Sequence, residues 1–251
     1  MKHLPWLAAL LVLAALLSAN LASAQPATKL TLNSLLPSPD QPRELATALK
    51  LLIGLSVLSL APALLIMLTS FTRIIIIFGF LRSALGTQQT PPNAVLIGLA
   101  LFLTFFIMYP VWEQIDRQAL RPYLAGAIKY DAALARGAVP LRAFLFKQTR
   151  DKDLGLFIGL ARLPTPRTRN DVPLRVLVPA FIISELRSAF QIGFVLFIPF
   201  VVLDLIVSSV LMSMGMMMLP PVMISLPIKI LLFVMVDGWH LITRSIVLSF
   251  G

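Results

Sequence analysis

Two long apolar stretches, residues 45–112 and 174–250, flank a polar stretch at residues 113–172. Residues 45–85 alone give 41 mostly apolar positions in a row, whereas a helix crosses a hydrocarbon core with roughly 20 residues. That length fits neither one span nor two. The same run carries Arg73 and Arg82, and an arginine at mid-bilayer costs about 2.5–3.5 kcal/mol on the most lenient insertion scale. Both side chains should therefore face protein, water or headgroups, and residues 68–93 should pack inside an assembly.

The two apolar stretches share a pattern. Each runs to a glycine (Gly86, Gly215), then four residues, a proline pair (Pro91-Pro92, Pro220-Pro221), a second apolar run and a tryptophan (Trp112, Trp239). Glycine suits a helix C-terminal cap and proline the first helical turn, so each stretch reads as a helical hairpin with a tight corner. Turns between membrane helices use the same residues, so chance punctuation is the alternative to a duplication. In the polar stretch, residues 114–134 and 141–163 carry apolar positions at helical spacing, with breaks expected at residues 137–140 and 164–169. At 60 residues it is small for an independent core.

The first 24 residues read as a secretory signal: Lys2 and His3, an apolar core at residues 7–17, and Ala22-Ser23-Ala24 before Gln25. Cleavage between Ala24 and Gln25 leaves a Pro/Ser/Asn-rich linker at 25–44. A cleaved signal places Gln25 outside, and two hairpins then return the polar stretch and the C-terminal end to that same side. The basic excess of the polar stretch, eleven basic against six acidic residues, argues the other way, but the charge rule weakens for loops of about 60 residues.

Composition narrows the class. Of 251 residues, 58% are hydrophobic and 13% charged, with mean hydropathy +0.90, which points to an integral membrane or membrane-assembly protein. There is no cysteine and only two histidines, His3 and His240, which excludes disulfides, thiol nucleophiles and Cys/His zinc clusters. The net charge of +10 has no interleaved aromatic patch of the kind that binds nucleic acid. No phosphate loop, dinucleotide fingerprint, HExxH or GxSxG occurs; the chain reads as a non-enzyme with no cofactor, and any ATP hydrolysis belongs to another protein.

Charges inside the apolar stretches are the sharper signal: Glu185 and Arg187 in FIISELRSAFQIGF, Asp204 in PFVVLDLIVSS, Lys229 and Asp237 in LPIKILLFVMVDGW. Intramembrane ionisable groups mark partners, pathways or water-lined cavities, and pairing between helices or subunits outweighs transport chemistry here. Glu185 and Arg187 are two apart, so on one helix they diverge. The run MSMGMMM at residues 212–218 holds five methionines before Leu219-Pro220-Pro221. Methionine is often core filler, but its flexibility also lets it repack round irregular shapes, and these residues crowd a corner that would ordinarily be polar.

FTRIIIIFGFLRSALGTQQTPPN, ALFLTFFIMYPVW, FKQTRDKDLGLF, VPAFIISELRSAFQIGF and VLMSMGMMMLPPVMISLPIKILLFVMVDGW together resemble the FliP family, the P subunits of the flagellar type III protein export gate and relatives of the injectisome R component. The likeness covers residues 45–250. It implies an all-α chain of two long membrane-associated hairpins (45–112 and 173–251) flanking a small periplasmic helical domain (113–172). It further implies a pentamer wound with R-type and Q-type subunits (FliR, FliQ) into a ring or helical channel in the inner membrane and flagellar basal body. FlhB, FlhA, the basal-body ring and unfolded protein substrates are the other implied partners. Met214, Met216, Met217 and Met218 then correspond to a gasket around the channel. The sequence departs from the family at His240 and Thr243-Arg244, where small or uncharged polar residues are commoner. The signal and FGFLRSALGTQQTPPN favour the flagellar branch over the injectisome. A secondary transporter is the main rival from another class, since repeats and buried charges suit it too.

Overall fold

Every regular element among the described residues is a helix. The structure is a computed structural model and describes residues 42–251 apart from 88, 165, 167, 217 and 218. The expected cleavage site at Ala24 and Gln25 lies outside the described residues, as does most of the linker. Helix α1 is Pro42–Met67, α2 Phe71–Leu85 and α3 Asn93–Ile115. A π-helical segment, Asp116–Leu120, and a closing turn, Arg121–Leu124, prolong α3. Then follow α4, Tyr130–Gln148, α5, Asp151–Leu160, α6, Leu174–Ser213, α7, Pro221–Met235, and α8, Gly238–Leu248.

The chain divides into two compact units between Leu60 and Ala61. What is described of the first is the N-terminal part of α1, with Leu51, Leu52, Ile53, Leu55 and Leu58 all exposed. All that follows concerns the second.

Helix α2 forms because Ile74, Ile77, Phe78 and Leu81 repeat at helical spacing, and all of them are buried. Its stripe packs along α6 more extensively than any other helix pair, against Val176, Leu177 and Phe181. Close approach requires Gly193 on α6, where an added Cβ would sit 2.4 Å from the Phe80 ring. The charged segment joins this same core: Phe144, Leu145 and Phe146 of α4 belong to one cluster with Phe78 and Phe181, and α4 and α5 both pack on α6.

The corners follow from local chemistry. Gly86 (φ 75°) and Gly215 (φ 72°) are left-handed, the conformation that closes a helix with glycine at C′. After α6 the amide of Met216 donates to the Leu211 carbonyl at 3.0 Å and that of Gly215 to Met212 at 3.1 Å, the paired bonds of a Schellman ending. Pro92 and Pro220 then immediately precede α3 and α7.

One expectation meets a different outcome. The break expected at residues 137–140 is absent, and α4 runs through Pro140. Pro140 is buried with Phe144 and Leu145 beyond it, and that packing outweighs the lost hydrogen bond. Gly137 serves contact instead, since a Cβ there would lie 3.4 Å from Ala119. Helix α3 continues through Trp112, where the apolar stretch gives way to the polar one, and the helical region at residues 141–163 comprises the end of α4 and the whole of α5.

Among the described residues two helical stretches are long and apolar enough to cross a membrane: Asn93–Leu124, with 32 residues, and Leu174–Ser213, with 40. Helices α7 and α8, bent by 66° at their junction, would count as a third if taken as one broken span. At 1.5 Å per residue the 40 residues of α6 reach about 60 Å, twice a hydrocarbon core of about 30 Å.

Candidate functional site

Arg73 sits on the buried stripe of α2 at 3% exposure, opposite Glu185 of α6 at 0%. Its Nε donates to Glu185 Oε2 at 3.0 Å, and Nη2 donates to Glu185 Oε1. The same Nη2 donates to Gln148 Oε1 at 2.9 Å, and Nη1 to the carbonyl and hydroxyl oxygens of Ser249 at 2.8 and 3.1 Å. Guanidinium has five N–H groups, and these are five bonds. The plane also lies 3.8 Å over the Phe250 ring, and Gln148 Nε2 donates to the Phe250 carbonyl at 3.1 Å. One side chain thus ties together α2, α4, α6 and the segment after α8.

A polar seam continues along α6. The Ser184 hydroxyl donates to Asp153 Oδ2 at 2.7 Å and accepts the Arg150 amide at 3.0 Å. Arg150 also donates to Ser188 at 3.4 Å and to Gln191. Beyond Gln191, α6 is apolar but for Asp204 and serines near its end. The more polar half of the long helix therefore faces α4 and α5.

The second buried cation is Lys229 of α7. Its Nζ donates to Asp204 Oδ2 at 2.6 Å and to the Ala84 carbonyl at 3.2 Å. Ala84 is in the last turn of α2, where the helix dipole favours positive charge. The Ser225 hydroxyl also lies beside the Asp204 carboxylate, whose side chain is 37% exposed. Arg187 and Asp237 are exposed, and neither has an ion pair among the described residues. Asp237 instead takes a left-handed φ of 50° between α7 and α8, and its carbonyl accepts the Leu241 amide at 3.1 Å. Arg82 reaches over the first corner to Asn93 Oδ1 at 2.5 Å.

At the second corner Met214 is 66% and Met216 40% exposed. Met217 and Met218 lie outside the described residues. Sequence reasoning did not single out Gln148, Ser184, Ser249 or Phe250. Neutral polar residues and a lone aromatic carry no mark of a buried arginine far along the chain.

Among the described residues every element is a helix, two of the helical stretches are long and apolar enough to span a membrane, and Arg73–Glu185 and Lys229–Asp204 pair between helices, the build of an integral membrane protein. The profile of the FliP family matches residues 54–246. The chain is 55% identical over 213 residues to the flagellar biosynthetic protein FliP of Bacillus subtilis (strain 168), covering 85% of this chain and 96% of that one. It is 51% identical over 214 residues to the protein of that name from Pectobacterium carotovorum subsp. carotovorum, covering 85% and 83%. Against that of Caulobacter vibrioides (strain ATCC 19089 / CIP 103742 / CB 15) it is 54% identical over 200 residues, covering 79% and 75%. The chain belongs to the FliP family.

Proposed function

We propose that this chain is the channel-forming subunit of a flagellar protein-export gate, conducting unfolded flagellar proteins across the bacterial inner membrane. Copies of the chain, a pentamer by family resemblance, wind together with FliR and FliQ subunits and meet FlhB, FlhA and the basal-body ring. Residues 45–112 and 173–251 act as two helical hairpins, and the charged segment at 113–172 stands in the periplasm. The observation that carries the reading is the exposure of Met214 and Met216 at the Schellman corner that ends α6, in a chain whose relatives are flagellar biosynthetic proteins.

Repeated around a ring, Met214, Met216, Met217 and Met218 bring long unbranched side chains to one constriction. They seal against ions and deform around passing polypeptide. Replacing Met216, Met217 and Met218 by alanine leaves assembly intact and raises ion conductance, whereas leucine at the same positions leaks little. Conductance of mass-verified complexes in planar bilayers is the measurement. A triple-alanine complex that assembles fully and stays as tight as the unsubstituted one overturns the gasket; alanine variants that lose assembly first favour core filling, by cavity formation.

A further inference from the structure

Two charges of the apolar stretches take no part in the pairings described above. Arg187 of α6 and Asp237, at the junction of α7 and α8, are both exposed, and neither makes an ion pair or side-chain hydrogen bond among the described residues. Asp237 holds the N-cap position of α8 without capping it through its side chain, so the corner itself makes no use of the carboxylate.

Each is a lone charge among exposed apolar side chains. Arg187 follows Glu185 by two residues on a helix of 3.6 residues per turn, so it points about 200° round α6 from the side that meets Arg73. There it stands in a row with Ile183, Phe190, Phe194, Ile198, Val201 and Leu205, all exposed. With Arg187 these residues recur every three or four positions, the spacing of one helix face. Asp237 follows Val234, Met235 and Val236, which are exposed as well. Apolar surface of this kind needs a cover, and a lone charge within it needs an opposite charge in that cover.

The two charges lie at one level on opposite sides of α2. Phe190, one turn beyond Arg187, packs edge-on against Phe80 of α2 with ring centroids 5.1 Å apart. Trp239, two residues past Asp237, packs edge-on against Phe78 of the same helix at 6.4 Å. Phe78 and Phe80 differ by about 3 Å along α2 and by about 200° around it. Helix α2 therefore stands between the two contacts, with Arg187 beyond it on the outer face of α6 and Asp237 beyond it at the α7–α8 junction. A chain with a cation on one side and an anion on the other, at the same level, is complementary to a second copy of itself set beside it. Such a contact is head-to-tail, and repetition builds a ring or a helix. Arg244, also exposed, is on α8 itself and would answer Asp237 of another copy only in a two-fold contact.

We propose that Arg187 of one copy pairs with Asp237 of the next, across an interface formed by the outer face of α6 and the α7–α8 junction. This rests on the multi-copy assembly of the export-gate reading and adds the faces that meet and the pair that sets their register. Charge pairs at an interface fix register and exclude wrong partners more than they add affinity.

Arg187→Asp and Asp237→Arg, each in the full chain purified with any subunits that accompany it, should each lower the yield of multi-copy complex about tenfold, because like charges then face each other. Combining the two in one chain should restore the yield to within about twofold. Co-expressing the two single variants under different tags should also recover complexes that carry both tags, since the exchanged charges then meet between copies; a pair made within one chain gains nothing from mixing. Arg187→Lys, with helix content checked by circular dichroism, should assemble normally. The chain has no cysteine, so a second measurement keeps both charges in place. Phe194→Cys, on the same face as Arg187, is put in copies with one tag and Val236→Cys in copies with another, and a short bis-maleimide should join them into a product carrying both tags. Links only between like copies indicate a two-fold contact and overturn the proposal. So do a multi-copy complex with no link between copies, single reversals that assemble at the unsubstituted yield, and a combined variant no better than either single one. These outcomes leave the export-gate reading standing, whereas an unsubstituted chain that purifies as one copy overturns the pairing and the multi-copy assembly together.

Discussion

Arg73 spends all its donors inside the protein, and nothing else about this chain is as unforgiving at the scale of one residue. Its carboxylate partner is fully buried, and removing one member of such a pair costs about 3–5 kcal/mol because the other charge stays desolvated. Glu185→Gln should therefore lower the yield of assembled complex sharply, measured by mass and native electrophoresis, before any change in conduction per complex. The double replacement Arg73→Met with Glu185→Leu should recover part of that yield, since neither charge is then stranded. A Glu185→Gln complex that assembles normally but no longer exports would assign the carboxylate to transport chemistry. Gly193→Ala tests a steric version of the same intolerance. Its Cβ would meet the Phe80 ring at 2.4 Å, and overpacking of this kind costs about 1–3 kcal/mol, readable as a lower midpoint of thermal unfolding in detergent. The sequence makes Arg73, Glu185, Asp204 and Lys229 conspicuous because each is ionisable in apolar surroundings. It does not reveal who meets whom: Arg73 and Glu185 are 112 positions apart, and the other groups on the guanidinium come from Gln148 and Ser249, ordinary residues in sequence.

At the scale of helices and corners, legibility tracks how local the cause is. The Gly–Pro-Pro punctuation is visible because a left-handed cap and a proline-led helix start are decided within a few residues. Pro140 misleads because its cause is tertiary, a buried ring in a helix fastened to α6 by its neighbours. Gly215→Ala forces a side chain into φ 72°, a strain of about 1–2 kcal/mol. It should loosen the end of α6, seen as faster amide hydrogen exchange over residues 205–214, while the buried stripe of α2 keeps its protection.

For the whole molecule the telling quantity is what stays outside. Phe102, Phe105, Phe190, Phe194 and Val195 are all more than half exposed, on a chain whose interior is already filled. Such surface needs lipid or protein against it. Phe194 is 66% exposed, so Phe194→Asp should leave the fold's helix content unchanged. The same change should reduce the mass of the purified assembly or its membrane insertion, since a carboxylate deep in a membrane costs roughly 2.5–3.5 kcal/mol. Unchanged mass and insertion would show that this face of α6 meets water. The membrane setting is legible in hydropathy and the hairpins in the Gly and Pro-Pro corners, whereas the all-α class as a whole came from the family resemblance. The joining of the charged segment to the apolar helices through one core does not, because it rests on Phe144 and Leu145 reaching Phe181 across sequence.

The anchoring of Arg73 also fixes an order of events during synthesis. Glu185 is made 112 residues after Arg73 and Ser249 a further 64 later, 176 in all. At translation rates of about 5–20 residues per second the arginine waits on the order of ten seconds for its carboxylate. Throughout that interval the guanidinium lacks the carboxylate and the carbonyl that hold it in the finished fold, so the packing of α2 is complete only when α6 and the residues after α8 have been made.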